Sequence, residues 1–155
     1  MLAAVLLIGW NSGCGNSTDG TSPASAISSA ESLDARVIFH ASDGHEAELK
    51  VEVARTEEER ATGLMNREEL DADSGMIFVW DKPVRGGFWM KDTYIPLSIA
   101  FIAEGGAIVD IQEMKAQDPT VHVSKKPYIY AVEANKAWFA DHGIKIGDRA
   151  EFIDG

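Results

Sequence analysis

Two glycine dipeptides, Asp43-Gly44 and Gly105-Gly106, each stand between runs of strand-forming residues, and together they fix much of what this chain can become. "RVIFHAS" and "AELKVEVA" flank the first; "LSIAFIA" and "AIVDIQEM" flank the second. Such dipeptides adopt the positive φ that a tight hairpin requires, so two antiparallel hairpins are expected. In the first, Leu49, Val51 and Val53 alternate with Lys50 and Glu52, which gives that strand one buried and one wet face.

The rest of the chain adds short strands. "GMIFVW" (75–80) is a continuous apolar run, set off from "FWM" (88–90) by the turn-forming "DKPVRGG". "PYIYAVEA" (127–134) and "GIKIGDRAEFI" supply further strands. Thr56 with Glu59 is a capping-box pair, which predicts a short helix from Glu57 that stops at Gly63. "NKAWFADHG" predicts one or two more helical turns, with Asn135 as N-cap and Gly143 as stop. Many strands with frequent glycine turns and one or two short helices define a mainly-β fold, a sandwich or a partly open barrel. With 155 residues the chain has room for a single domain, placed at residues 36–155.

The residues ahead of that domain carry an address. "LAAVLLIGW" (2–10) is too short to span a bilayer and has the length of a signal-peptide core, so residues 1–13 are expected to form a signal-like segment. Ser12 and Gly13 lead to Cys14, the only cysteine, which excludes an internal disulfide and a cysteine-based zinc site. Residues 14–35 continue as a Ser, Thr, Gly and Ala tract with little to bury, the composition of a flexible tether. The arrangement resembles a bacterial lipoprotein signal, which implies lipidation at Cys14 and a domain held to a membrane of the cell envelope, facing the periplasm or exterior. It departs from that pattern at Asn11, where leucine is usual, and in having no basic residue before the apolar run.

Five blocks in order, "GLMNRE" (63–68), "GMIFVW" (75–80), "FWMKDTYIPLSIAFI" (88–102), "AVEAN" (131–135) and "GIKIGD" (143–148), resemble the family called domain of unknown function 192. The resemblance covers about Leu49 to Ile153 and implies a compact mainly-β fold of sandwich type. It implies no established activity, cofactor or substrate. Two departures from the family pattern stand out: Asp92 where asparagine is common, and Ser98 where an acid is usual.

Charge narrows the partners. From Arg36 onward there are 22 acidic and 14 basic residues with no basic stripe, a field that repels phosphate backbones, and no nucleic-acid partner is expected. The polar triplet Lys91-Asp92-Thr93, set between apolar blocks, reads either as a turn or as part of a ligand surface. In the second reading Trp89 is a flat platform and Lys91 a cation, with Arg67 as second cation. Thr93 and Glu133 complete the candidate site, for a small anionic ligand or part of an envelope glycan or protein. Glu133 falls on an apolar strand and needs a partner, for which Arg67 and Lys91 are the candidates.

Two other chemistries are weighed. A hydrolase would use acids of the same surface, such as Asp110 with Glu133. A copper-handling protein would use the soft donors Met65 and Met90 with His122, although none has the spacing of a metal motif. No G-x-S-x-G or H-E-x-x-H motif is present, no cofactor is expected, and the leading expectation is a monomeric binding or accessory module without catalysis.

Overall fold

Hairpin geometry at both glycine dipeptides organises the protein, which is seen here in a computed structural model that describes residues 35–155. The signal-like segment, Cys14 and nearly all of the tether lie outside the described residues. In chain order the elements are β1 (Arg36–His40), β2 (Glu46–Ala54), α1 (Glu57–Thr62), β3 (Ser74–Val84), β4 (Gly87–Phe88) and β5 (Leu97–Ile102). They continue with β6 (Ile108–Met114), β7 (His122–Val123), β8 (Tyr128–Asn135), α2 (Trp138–Asp141) and β9 (Arg149–Ile153).

Seven strands form one sheet in the order β6-β5-β8-β3-β2-β1-β9, and β4 pairs with β7 as a separate ribbon. β1–β2 and β5–β6 are the two expected hairpins. β2 and β3 are parallel, so the chain must cross over between them, and α1 lies on that crossover. The sheet curls until its edges touch at one end. Ile108 N donates to Asp148 O at 2.9 Å, and Ala150 N donates to Gly106 O at 2.7 Å. The fold is therefore a mainly-β single domain of the partly open barrel kind, a half-barrel, with two short helices.

Alternation along the strands divides the apolar residues between two cores. The face enclosed by the curl carries Val37, Phe39, Leu49, Val51, Ile77 and Val132. Trp138 and Phe139 of α2 plug it, with ring centroids 5.5 and 5.4 Å from Phe39. The opposite face carries Phe78, Leu97, Ile99, Phe101 and Ala131, covered by Leu64, Met90 and Tyr128. β5, buried at all six positions, serves both cores, which is why its sequence is a continuous apolar run.

Local signals predicted α1 well. It begins at Glu57, Thr56 and Glu59 make both capping-box hydrogen bonds, and Gly63 ends it at φ 48°. Three expectations need correction. β3 does not stop at Trp80 but continues to Val84, with an irregularity in its pairing to β8 between Val79 and Val84. The "FWM" strand ends at Phe88. Asn135 is the last residue of β8 and not a cap; its amide donates to Leu70 O at 3.1 Å and Asp71 O at 2.9 Å. α2 starts instead after Ala137, which is held at φ 66°.

Candidate functional site

Coverage of the outer face is uneven, and the gap is the candidate site. α1 with the loop after it makes one wall, and the 86–93 segment makes the other. Between them lies a cleft of about 440 Å³ whose lining includes Leu64, Phe78, Trp80, Phe88, Tyr128 and Glu133. Backbone contacts join the walls: Asn66 N donates to Asp92 O at 2.7 Å, with both residues in the left-handed region (φ 62° and 54°). Asparagine and aspartate are the non-glycine residues best suited to that conformation. Asp92 in place of the family's asparagine therefore keeps the backbone role intact.

The polar triplet is a turn. Thr93 N donates to Met90 O at 3.2 Å, and the Thr93 hydroxyl donates to Lys91 O at 3.3 Å. The turn buries Thr93 against the cleft and leaves Lys91 in solvent, its ammonium 5.5 Å from the centre of the Trp89 ring.

Glu133 is the unusual group. Register places it in β8 between Met76 of β3 and Ile99 of β5, on the outer face. It is only 5% exposed, and among the described residues its carboxyl has neither a hydrogen bond nor an ion pair. Burial alone pushes the carboxyl up to about 8. Tyr128, on the same strand, has a buried hydroxyl beside Gly86; burial pushes it up to about 12, and the Gly86 backbone opposes that shift. Native proteins leave few buried polar groups unpaired, so the Glu133 carboxyl marks a place where packing was not the deciding demand.

The expected partners of Glu133 lie elsewhere. Arg67 binds both oxygens of Glu52, at 2.7 and 2.6 Å, beside a separate depression that includes Leu70 and Asp71. Lys91 borders a third depression with Tyr94 and Pro119. Of the five residues expected to form the site, Trp89, Thr93 and Glu133 share the cleft, and Arg67 and Lys91 stand outside it. The cation at the cleft is Arg60, which lies 5.2 Å from the Trp80 ring and donates to Val79 O at 3.0 Å.

The acid pair of the hydrolase alternative is not brought together at the cleft. Asp110 accepts from Ile111 N, Gln112 Nε2 and Lys125 N at 3.1, 2.9 and 3.3 Å, and it does not line the cleft with Glu133. Met65 borders the cleft, Met90 is buried in the outer core, and His122 meets Gln112 Oε1 at 3.1 Å. Among the described residues no three His, Cys, Asp or Glu side chains converge as a metal site. Ser98 lies on the other face, donating to Glu113 at 2.6 Å and accepting from Ala137 N at 2.8 Å, which makes it a structural link.

Sequence reading missed Trp80, Phe88, Tyr128 and Arg60. The aromatic residues sit in runs that look like ordinary core, and Arg60 looks like one charge of an exposed helix. The one available signal was Glu133 itself, an acid inside "YIYAVEA".

Curled sheet, paired edges and a half-covered outer face with a buried acid together define a half-barrel domain bearing a cleft of small-ligand size. The chain belongs to the family designated DUF192, described as Uncharacterized ACR, whose model matches residues 38–152. It is similar to a Sinorhizobium meliloti 1021 protein that carries the provisional description of transcription regulator. That pair is 33% identical with a TM-score of 0.74, over 76% of this chain and 92% of the other. A Novosphingobium aromaticivorans DSM 12444 protein of unknown function matches at the same 33% and 0.74, over 89% of this chain and 99% of the other. No curated protein matches the chain.

Proposed function

We propose that this protein is a lipid-anchored binding or accessory module of the cell envelope, with the Glu133 cleft as its small-ligand site. The observation that carries the reading is the unpartnered Glu133 carboxyl, buried at a cleft of about 440 Å³ whose lining includes five aromatic residues. A buried acid without a partner costs stability, and a ligand that bonded it would offset the cost. Support for the anchor comes from the sequence, where the apolar run, small residues, Cys14 and tether occur in order. The acidic domain disfavours a nucleic-acid partner, so the regulator description of the Sinorhizobium protein is not extended to this chain.

Catalysis is the second reading, favoured by one feature: a carboxyl poised near pH 8 in a cleft suits proton transfer. The cleft offers Glu57 as the only other acid, so this would be chemistry of a single buried carboxyl more than of a matched pair.

Thermal unfolding of the full chain against small amines, anions, sugars and metals tests the binding reading. A ligand at about 100 times its Kd should add about 2.7 kcal/mol. The shift should vanish in Glu133→Gln and persist in Lys91→Ala; a shift lost only in Lys91→Ala would move the site to the exposed turn. Lipidation is tested separately by Cys14→Ser, which should release the protein from membranes and lower its mass by the acyl group. Retention with unchanged mass would refute the anchor.

A further inference from the structure

The cleft's chemistry also selects among ligands. Of its lining residues three carry charge: Glu57 and Arg60 of α1, and Glu133. Arg60 is engaged with Trp80 and backbone carbonyls, including those of Val79 and Arg55, and Glu57 lies one turn away on the same helix. Neither is paired with Glu133, whose carboxyl has burial as the sole influence on its protonation. The cleft thus offers one buried, unpaired acid, and its one cation, Arg60, is already engaged by Trp80 and backbone carbonyls. Around it stand the rings of Phe78, Trp80, Phe88 and Tyr128. They pack edge to face or tilted, with Phe78–Phe88 centroids 4.9 Å apart and Trp80–Tyr128 centroids 5.3 Å apart. Aromatic walls beside an unpaired buried acid favour a positively charged nitrogen over an anion, since the ionised carboxylate attracts it and apolar rings accept its organic body. An anionic ligand would meet a buried acid with no compensating donor from Arg67 or Lys91.

We infer that the cleft binds an organic cation, with a primary ammonium or guanidinium on the Glu133 carboxylate and an apolar body against Leu64, Phe78 and Phe88. The inference rests on the cleft being a ligand site and adds the class of ligand. Binding then requires Glu133 to give up its proton, so affinity and pH are linked. The other titratable groups nearby are Glu57 and Arg60 on α1 and Tyr128 on β8. On the same face of the sheet, Glu52 of β2, paired with Arg67 of the loop after α1, lies beyond Met76, and Asp110 of β6 lies beyond β5. The part of the pH profile that belongs to Glu133 is the part that Glu133→Gln removes.

The probes are phenethylammonium, 2-phenylethanol and 3-phenylpropionate, which share an apolar body and differ in charge, titrated into the full chain by calorimetry. Because a ligand ammonium stays protonated through pH 8, the ionised fraction of Glu133 governs affinity, which should rise about 50-fold from pH 6 to pH 8. At pH 7, repeating the titration in buffers of different ionisation heat should show about 0.9 proton released per ammonium bound. Glu133→Gln, nearly isosteric, should lose the preference for the ammonium while melting as a folded protein. If the alcohol or the carboxylate binds as tightly as the ammonium, or no proton is released, the cation inference fails and the cleft remains a ligand site. If none of the three binds to the folded parent, both the inference and this use of the cleft fail.

Discussion

Replacing Glu133 by glutamine should change how stability depends on pH, and by an amount that follows from its burial. The folded carboxyl is pushed up to about 8 from an ordinary 4.5, with burial as the cause. Because the folded value lies above the unfolded one, the native state holds the extra proton between those limits. Its stabilising contribution is complete below pH 4.5 and is lost as pH rises through 8. At about 1.4 kcal/mol per decade, the full span corresponds to about 5 kcal/mol, of which about 4 kcal/mol falls between pH 5 and pH 9. That is a large fraction of a typical domain's stability. Glutamine keeps the shape and cannot ionise, so Glu133→Gln should lack this loss. Urea unfolding of parent and variant at pH 5, 7 and 9 measures it, and subtracting the two curves cancels other titrating groups. His45 is one of these, held upward by hydrogen bonds to His142 O and Asp43. The variant's advantage should grow by about 4 kcal/mol from pH 5 to pH 9, a midpoint change of more than about 1 M urea. Parallel curves would refute the reasoning and mean that Glu133 has a partner or is wet.

Two substitutions probe the scaffold around the cleft. In Gly75→Ala the new Cβ would stand 2.2 Å from Glu133 O and 2.9 Å from Leu49 Cδ2, in the central β3–β8 pair. Overpacking there should lower stability by about 1–3 kcal/mol by urea unfolding, and an unchanged midpoint would show that the two strands can part without loss. Thr56→Ala removes one side of the capping box that starts α1 and should cost about 1 kcal/mol. Because α1 forms one cleft wall with none of its own residues buried, ligand affinity should fall along with stability; hydrogen exchange of the Glu57–Thr62 amides would locate the loss.

How much was legible in the sequence varies with the range of the interaction. Asp43-Gly44, Gly105-Gly106 and the Thr56–Glu59 pair each act within a few residues, so both hairpins and the start of α1 could be read directly. The N-cap role expected of Asn135 failed for the opposite reason. Its amide is used by Leu70 and Asp71, some 64 residues away, and β8 runs through it.

The candidate site divides in the same way. Trp89, Thr93 and Glu133 could be singled out by residue type, but their surroundings could not. Arg67 was a plausible partner for Glu133 until folding set it against Glu52, 15 residues earlier, and Lys91 until a four-residue turn left it in water. By itself the sequence determined a mainly-β domain with two hairpins, one capped helix and an acid in an apolar strand, because turn conformation, capping and alternation are local properties of the chain. Only the tertiary structure decided that the sheet curls until Gly106 meets Ala150, and that Glu133 faces a cleft alone. Sheet closure depends on distant edges meeting, and an unpaired charge exists only once every possible partner has been placed.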